Sequence, residues 1–341
     1  KYSSSWIPWL PHDKYLEGFS RVLQIWKFII RLVIWLYSGT LYIPAVKHAD
    51  IRKEGGKLPV IVLSHGLGAT RFSYSCICLE LASHGFLVVA VEHRDKSSAT
   101  TFYYKSIDRF TNSSPSWLNF KVTRFGSGHF STRKKTEILR RVEECKKVVD
   151  LIEKLNKGEP VKNILSSNFK LSQFKGRLNM TTITMMGHSF GGATALLALE
   201  SDRRFKFGVI LDPWMFPIKE EKDLSSRIKQ PLLFVNTETF HITLNYNALK
   251  TITDVIPDSC GERAVYTIRQ TTHESQTDTP HLVGYWLNWK MKKLPSVVAC
   301  KINNLLILEF YQKHIGLEHD VDTSFLHAQA HNVVEGVIEW K

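Results

Sequence analysis

Gly187-His188-Ser189-Phe190-Gly191-Gly192-Ala193-Thr194 follows an apolar, β-prone run, Ile183-Thr184-Met185-Met186. It precedes a helix-forming one, Ala195-Leu196-Leu197-Ala198-Leu199-Glu200. This is Gly-x-Ser-x-Gly between a strand and a helix. A strained turn there lifts one hydroxyl clear of the sheet, and glycines must flank it because side chains would clash. The helix that follows points its free N–H groups and positive dipole end at any oxyanion forming beside the serine. Ser189 is therefore a candidate nucleophile. The plainer alternative is a glycine-rich turn that only joins strand to helix, and it is weighed by whether an acid and a base follow where they are needed.

Working outward, residues 59–64 and 86–91 are continuous apolar runs that read as buried strands, with a helix and its glycine stop over 79–85 between them. Three more strands follow the serine turn, over 205–211, 231–236 and 264–268. Runs of this kind suit a parallel sheet covered on both faces. Strands alternating with helices, and a Gly-x-Ser-x-Gly turn at a strand's carboxyl end, give an α/β-hydrolase fold: a mostly parallel, doubly wound sheet with flanking helices. Residues 132–156 read as an amphipathic helix with Ile138, Val142, Cys145, Val149, Ile152 and Leu155 on one face. Its basic opening, Arg133-Lys134-Lys135 with Arg140-Arg141, reads as a solvated face. Residues 97–130 are polar, aromatic and irregular, in the manner of a lid-like excursion.

A serine hydroxyl needs a base to take its proton, and the base needs a third group to fix its tautomer. The chain order for this fold is serine, acid, histidine. Asp212 stands directly after the strand 205–211; Glu238, just past the strand that ends at Asn236, is its rival. His273 follows the last strand, where a base should meet the serine, and His281 is its competitor. His188 belongs to the turn itself and reads as structural. An oxyanion hole takes two amides: Phe190, after the nucleophile, and Leu67, in His65-Gly66-Leu67-Gly68 after the first strand.

The chain has 341 residues, 43% apolar and 11% aromatic, enough for one α/β-hydrolase domain over residues 1–341. It opens on Lys1 rather than Met, so no leader or acylation site is read from it. A formal charge of +13 suits an anionic membrane surface or merely a solvated exterior; without an RNA-binding signature or zinc-finger spacing, nucleic acid is not expected. Five scattered cysteines build no disulfide framework. Sequons at Asn112 and Asn179 permit secretion without requiring it. Residues 1–20 read as an irregular lead-in. Residues 21–37 read as an apolar helix with a narrow polar stripe, Gln24, Lys27 and Arg31. It is shorter than the ~20 apolar residues of a membrane span. It suits either an interfacial helix, with Trp26 and Trp35 at headgroup depth, or a helix buried against the body.

Several motifs together resemble one family. Ser64-His-Gly-Leu-Gly-Ala-Thr-Arg71, Leu81-Ala-Ser-His-Gly-Phe86, Ala90-Val-Glu-His-Arg-Asp95, the serine turn, Leu211-Asp-Pro-Trp-Met-Phe-Pro217, His273-Glu-Ser-Gln-Thr-Asp278 and Phe310-Tyr-Gln-Lys-His-Ile-Gly-Leu317 are similar to the platelet-activating factor acetylhydrolases. These are the plasma and intracellular type II enzymes, the group VII phospholipases A2. The likeness spans about residues 6–320 and leaves the tail unmatched. It implies calcium-independent hydrolysis of acetyl, short or oxidised sn-2 esters of phospholipids, without a metal or other cofactor. It also implies the triad Ser189, Asp212 and His273, with oxyanion donors Leu67 and Phe190, and so favours Asp212 over Glu238. It implies a peripheral enzyme at a membrane or lipoprotein surface, secreted or cytoplasmic. The contact would use the apolar helix and a segment after the catalytic histidine that carries Tyr285, Trp286 and Trp289. Pro213 stands where the family pattern has a small residue, and the acid-to-base spacing differs. A long-chain lipase or carboxylesterase, or a lipid-binding protein with a silent triad, are the competing classes.

Overall fold

The computed structural model describes residues 5–105, 114–122, 128–164, 169–254, 256–284, 293–317 and 320–340. The region expected to be an irregular lead-in and then one helix is instead a strand and two helices. Strand β1 (Trp6–Pro8) pairs antiparallel with β2 (Tyr42–Val46), and α1 (Asp13–Leu23) and α2 (Lys27–Ser38) lie between them. The break is local. Gln24 takes a left-handed conformation, φ 57°, and its N–H caps α1 by donating to the Ser20 carbonyl. Continuous hydrophobicity on both sides of this turn hides it from a periodicity count.

The central sheet is built from β3 (Leu58–Ser64), β4 (Leu87–Val91), β7 (Leu178–His188), β8 (Phe207–Leu211), β9 (Leu232–Thr237), β10 (Arg263–Ile268) and β11 (Val333–Glu335). Their spatial order is β11-β10-β9-β8-β7-β3-β4. Every neighbouring pair is parallel except β10 with β11, which the tail adds antiparallel at one edge. The strands expected from sequence are all present, with ends that differ slightly. They lack polar alternation because both faces are covered. Val60 and Val62 pack on one side with α4 (Gly128–Lys157), α5 (Phe190–Ser201), α6 (Leu224–Arg227) and α7 (Thr243–Thr253). Ile61 and Leu63 pack on the other with α3 (Ser75–Ser83), α9 (Ser296–Ile315) and α10 (Ser324–Ala328). Helix α9 buries residues nearly all round, so it has no amphipathic stripe to announce it.

The excursion after β4 carries an antiparallel hairpin, β5 (Thr100–Tyr103) with β6 (Ser116–Asn119). Its stem is buried: Ser97, Ser98, Ala99 and Thr100 are at most 1% exposed. A Cβ on Gly18 would meet the Ala99 carbonyl, so α1 lies directly against this stem. Residues 106–113 and 123–127, including the sequon at Asn112, lie outside the described residues. The basic opening of α4 is solvated only in part: Lys135 and Arg140 are exposed, but two of its cations turn inward. Lys134 is 2% exposed and Arg141 fully buried. Arg141 bonds Asp95 (2.9 Å) and the His65 carbonyl (2.6 Å), and stacks over the Phe190 ring at 4.4 Å. Asp95 supplies the countercharge that a helix-face reading could not see. Although burial opposes it, the Asp95 carboxyl is held well below its usual range by Arg141.

Candidate active site

Ser189 sits between β7 and α5 at φ 58°, ψ −118°. Non-glycine residues rarely hold a positive φ, and here the surroundings enforce it. The Ser189 N–H donates to the Leu211 carbonyl at 2.9 Å, and its own carbonyl accepts from Trp214 N at 3.0 Å. A Cβ on Gly187 would collide with the Gly191 carbonyl, and one on Gly191 with the Ser64 carbonyl. Those two glycines let the turn close.

Asp212 follows β8, also at positive φ, 45°, and is wholly buried. Each of its oxygens accepts two hydrogen bonds. Oδ1 takes the Thr237 N–H (2.8 Å) and His241 Nε2 (3.0 Å), and Oδ2 takes the Thr237 hydroxyl (2.5 Å) and His273 Nδ1 (2.7 Å). That fills about four lone-pair sites. Burial alone would raise this carboxyl; the bonds from His241 and His273 outweigh it and hold the group well below the carboxylate range. A saturated carboxylate of this kind orients an imidazole and leaves no oxygen for a metal ion, although His188, Asp212 and His273 offer ligand atoms within 4.8 Å of one another.

His273 begins a short 3-10 turn after β10, is partly exposed, and stacks face to face on Phe240 at 3.6 Å between ring centroids. With Nδ1 donating to Asp212, Nε2 is the nitrogen left to take a proton. His241 was not foreseen. Asn245 Nδ2 donates to its Nδ1 at 2.9 Å, which sets Nε2 as the donor to Asp212. Nothing in the sequence around a buried histidine marks such a role. Glu238, the rival acid, instead accepts from the Gln270 N–H at 2.5 Å. His281 lies in α8 (Thr279–Val283), and it does not line the cavity described below. Pro213 packs against Gly192, 3.0 Å from where a Cβ would stand, and its carbonyl accepts from Asn245.

His65-Gly66-Leu67-Gly68 lies beside the serine, with Ser189 Cβ 3.2 Å from where a Cβ on Gly66 would be. The loop is held from both sides. Arg141 bonds the His65 carbonyl, and Gly66 N–H donates to the Tyr74 hydroxyl at 2.9 Å. That hydroxyl in turn meets His188 Nδ1 at 2.9 Å. Burial, then His273, push the His188 imidazole well down, so it stays neutral. Among the described residues, the Leu67 and Phe190 amides donate to no backbone carbonyl.

Ser189, His273 and Leu67 open on one cavity of about 300 Å³. Its far wall is Phe19, Val22 and Leu23 of α1 and Ile29, Ile30, Val33 and Ile34 of α2. The other side of α2 is bare: Phe28 is 63%, Trp35 65% and Leu36 64% exposed, and Trp26, just before it, 72%. The expected polar stripe is solvent-accessible and also holds α2 to α1. Lys27 pairs with Glu17 at 3.3 Å and Arg31 with Asp13 at 2.5 Å, both on α1. Tyr285, Trp286 and Trp289 lie outside the described residues. No described helix is long and apolar enough to cross a membrane.

Comparison with known proteins gives the family and the fold. The family described as platelet-activating factor acetylhydrolase, isoform II, matches residues 3–333. Proteins named platelet-activating factor acetylhydrolase are 37% identical in Bos taurus, across 96% of this chain and 73% of that protein. In Cavia porcellus the figure is 39%, across 92% and 70%. In Gallus gallus it is 35%, across 96% and 79%. Among solved structures, a ferulic acid esterase from Streptomyces cinnamoneus superposes with a TM-score of 0.57 at 17% identity, covering 84% of this chain and 76% of that one. That likeness is one of fold, and the fold is α/β-hydrolase. On the extent of the family match and the identity to these relatives, the chain belongs to the platelet-activating factor acetylhydrolase, isoform II, family.

Proposed function

We propose that this chain is a calcium-independent serine esterase that removes the sn-2 acetyl group, or a short or oxidised acyl group, from platelet-activating factor and related phospholipids. The observation that carries this is the cavity: one apolar pocket holds Ser189 and His273 and is walled by α1 and by α2, whose outer surface is also apolar. At about 300 Å³ it is at the low end of the roughly 300–1,000 Å³ usual for ligand sites, which favours a short acyl group.

In the first step His273 Nε2 takes the Ser189 proton as Oγ attacks the sn-2 carbonyl, and Asp212 stabilises the imidazolium through Nδ1. The Leu67 and Phe190 amides hold the oxyanion, so the carbonyl is polarised without a metal ion. His273 then protonates the departing lysophospholipid oxygen, and water releases the acyl group by the same route. Thr237 and His241 keep the carboxylate in place, and Phe240 fixes the plane of the His273 ring.

The bare face of α2, with Trp26 and Trp35, rests on a membrane or lipoprotein surface, and substrate passes from there into the cavity that α2 also lines. The segment with Tyr285, Trp286 and Trp289 completes this contact. The test is hydrolysis of a phosphatidylcholine series, sn-2 acetyl through palmitoyl, with a calcium chelator present. A steep preference for acetyl and short oxidised chains is expected. Turnover that rises with chain length would make the protein a general lipase, and no turnover with any chain would make it a lipid binder.

A further inference from the structure

A second cluster of reactive side chains lies apart from the ester site. Cys76 is in the first turn of α3, His281 in α8 and Cys300 in α9, and none of the three lines the cavity at Ser189. Their two sulfurs and an imidazole nitrogen all lie within 4.8 Å of one another. Both cysteines are free thiols, and all three residues are half-buried, which leaves solvent a path in. The three positions are far apart in sequence and show no metal-ligand spacing, so only the packing of α3, α8 and α9 discloses them.

We propose that Cys76, His281 and Cys300 bind one Zn²⁺ ion, with a solvent molecule as fourth ligand. Two thiolates and an imidazole are a donor set that selects zinc over calcium or magnesium. Zn–S bonds of about 2.3 Å and Zn–N bonds of about 2.0–2.1 Å in a tetrahedron put the donor atoms roughly 3.5–3.8 Å apart. With all three donor atoms within 4.8 Å of one another, the cluster reaches that by closing at most about 1.3 Å, within side-chain adjustment. Binding displaces one proton from each thiol to solvent, giving a site with two thiolates and a neutral imidazole. Supporting groups are in place. Asn304 Nδ2 lies 3.6 Å from Cys300 Sγ as an N–H donor. The Asp278 carboxylate accepts from Cys76 N (3.1 Å), Ser75 N (2.9 Å), the Ser75 hydroxyl (2.6 Å) and Trp9 Nε1 (2.8 Å). Those bonds fix the turn from which Cys76 projects, the role outer contacts play around metal ligands. The ion would tie α3 to α8, the helix that follows the His273 turn, and no step of ester hydrolysis passes through it.

The test uses the whole chain without a histidine tag, purified without chelator. Native mass spectrometry should find one zinc per chain. Co²⁺ replacing it should give the intense near-ultraviolet thiolate-to-cobalt band and the visible pattern of a tetrahedral site. Cys76→Ser and Cys300→Ser should each abolish the band. Chelation should lower the Tm of wild type, re-addition of Zn²⁺ should restore it, and neither should move the Tm of Cys300→Ser. Should the variants fail to fold, the Co²⁺ spectrum and the reversible Tm shift of wild type decide alone. No retained zinc together with no Co²⁺ band at saturation overturns the proposal. So does a band that survives in the double variant, or recovery of Cys76 and Cys300 as a disulfide from protein purified without reductant.

Discussion

The turn at Ser189 and the helical cap above it meet at one cavity but are held in opposite ways. The turn is fixed by backbone. Ser189 and Asp212 have positive φ, glycines are required where carbonyls approach, and every oxygen of Asp212 is occupied. The cap has no buried residue in α2 at all, and is joined to α1 by ion pairs at exposed side chains. Pairs of that kind contribute about 0–1 kcal/mol. The contrast teaches that Ser189, Asp212 and His273 are held by a fixed backbone while α2 lies on the body without a buried residue of its own, so variants in the two regions should fail differently.

The largest effect expected is from Ser189→Ala, a loss of roughly 10⁶ in kcat with unchanged unfolding; Asp212→Asn should cost about 10⁴ by upsetting the histidine tautomer. Single-turnover assays on a soluble short-chain ester measure both. If Asp212→Asn kept most of its activity, His273 would be oriented by another group. Gly191→Ala comes next. Its methyl would strike the Ser64 carbonyl, and overpacking of this sort costs about 1–3 kcal/mol, read as a lower denaturant midpoint with activity falling in parallel.

Acid should weaken the turn side of the molecule before the cap. His65 and His93 are pushed well down by burial and then by Arg141, and His188 by burial and then by His273. The unfolded chain binds these protons near pH 6.5 and the folded one does not. Stability is thus complete above that pH and declines as pH falls below it, by up to about 1.4 kcal/mol per pH unit for each histidine. Urea midpoints measured between pH 7.5 and 5.5 should drop, whereas a flat profile would mean these histidines are not neutral in the fold. On the cap, replacing Phe28, Trp35 and Leu36 by Ser should lower vesicle affinity by about tenfold per side chain and leave kcat on a soluble ester as it was. A protein that unfolded instead would make α2 structural. Smallest is Glu238→Gln, about 1 kcal/mol of stability with kcat intact.

The same division explains what could be read from the sequence. The strands and the serine turn were legible because each position there has one dominant constraint. Alternate residues such as Ile61 and Val62 enter opposite cores, and Gly191 admits no side chain. The cap was not, because an apolar run continues from Val22 and Leu23 into Ile25 and Trp26, and α1 ends only at the left-handed turn at Gln24. Lys27 and Arg31 are a water-facing stripe, and the sequence does not show that they also meet acids on a neighbouring helix. Arg141 looked solvated until Asp95 was brought to it from β4's end. His241 illustrates the limit for the site: its part in orienting Asp212 depends on Asn245 and on a fold contact between β8 and the start of α7, neither of which leaves a local pattern.

The most direct measurement is covalent labelling with a fluorophosphonate followed by peptide mapping, run beside an activity assay. The expected result is one adduct per chain, on Ser189, rising in step with loss of hydrolysis and absent from Ser189→Ala. An adduct on another residue, or full activity in a chain fully labelled at Ser189, would contradict its role as the nucleophile.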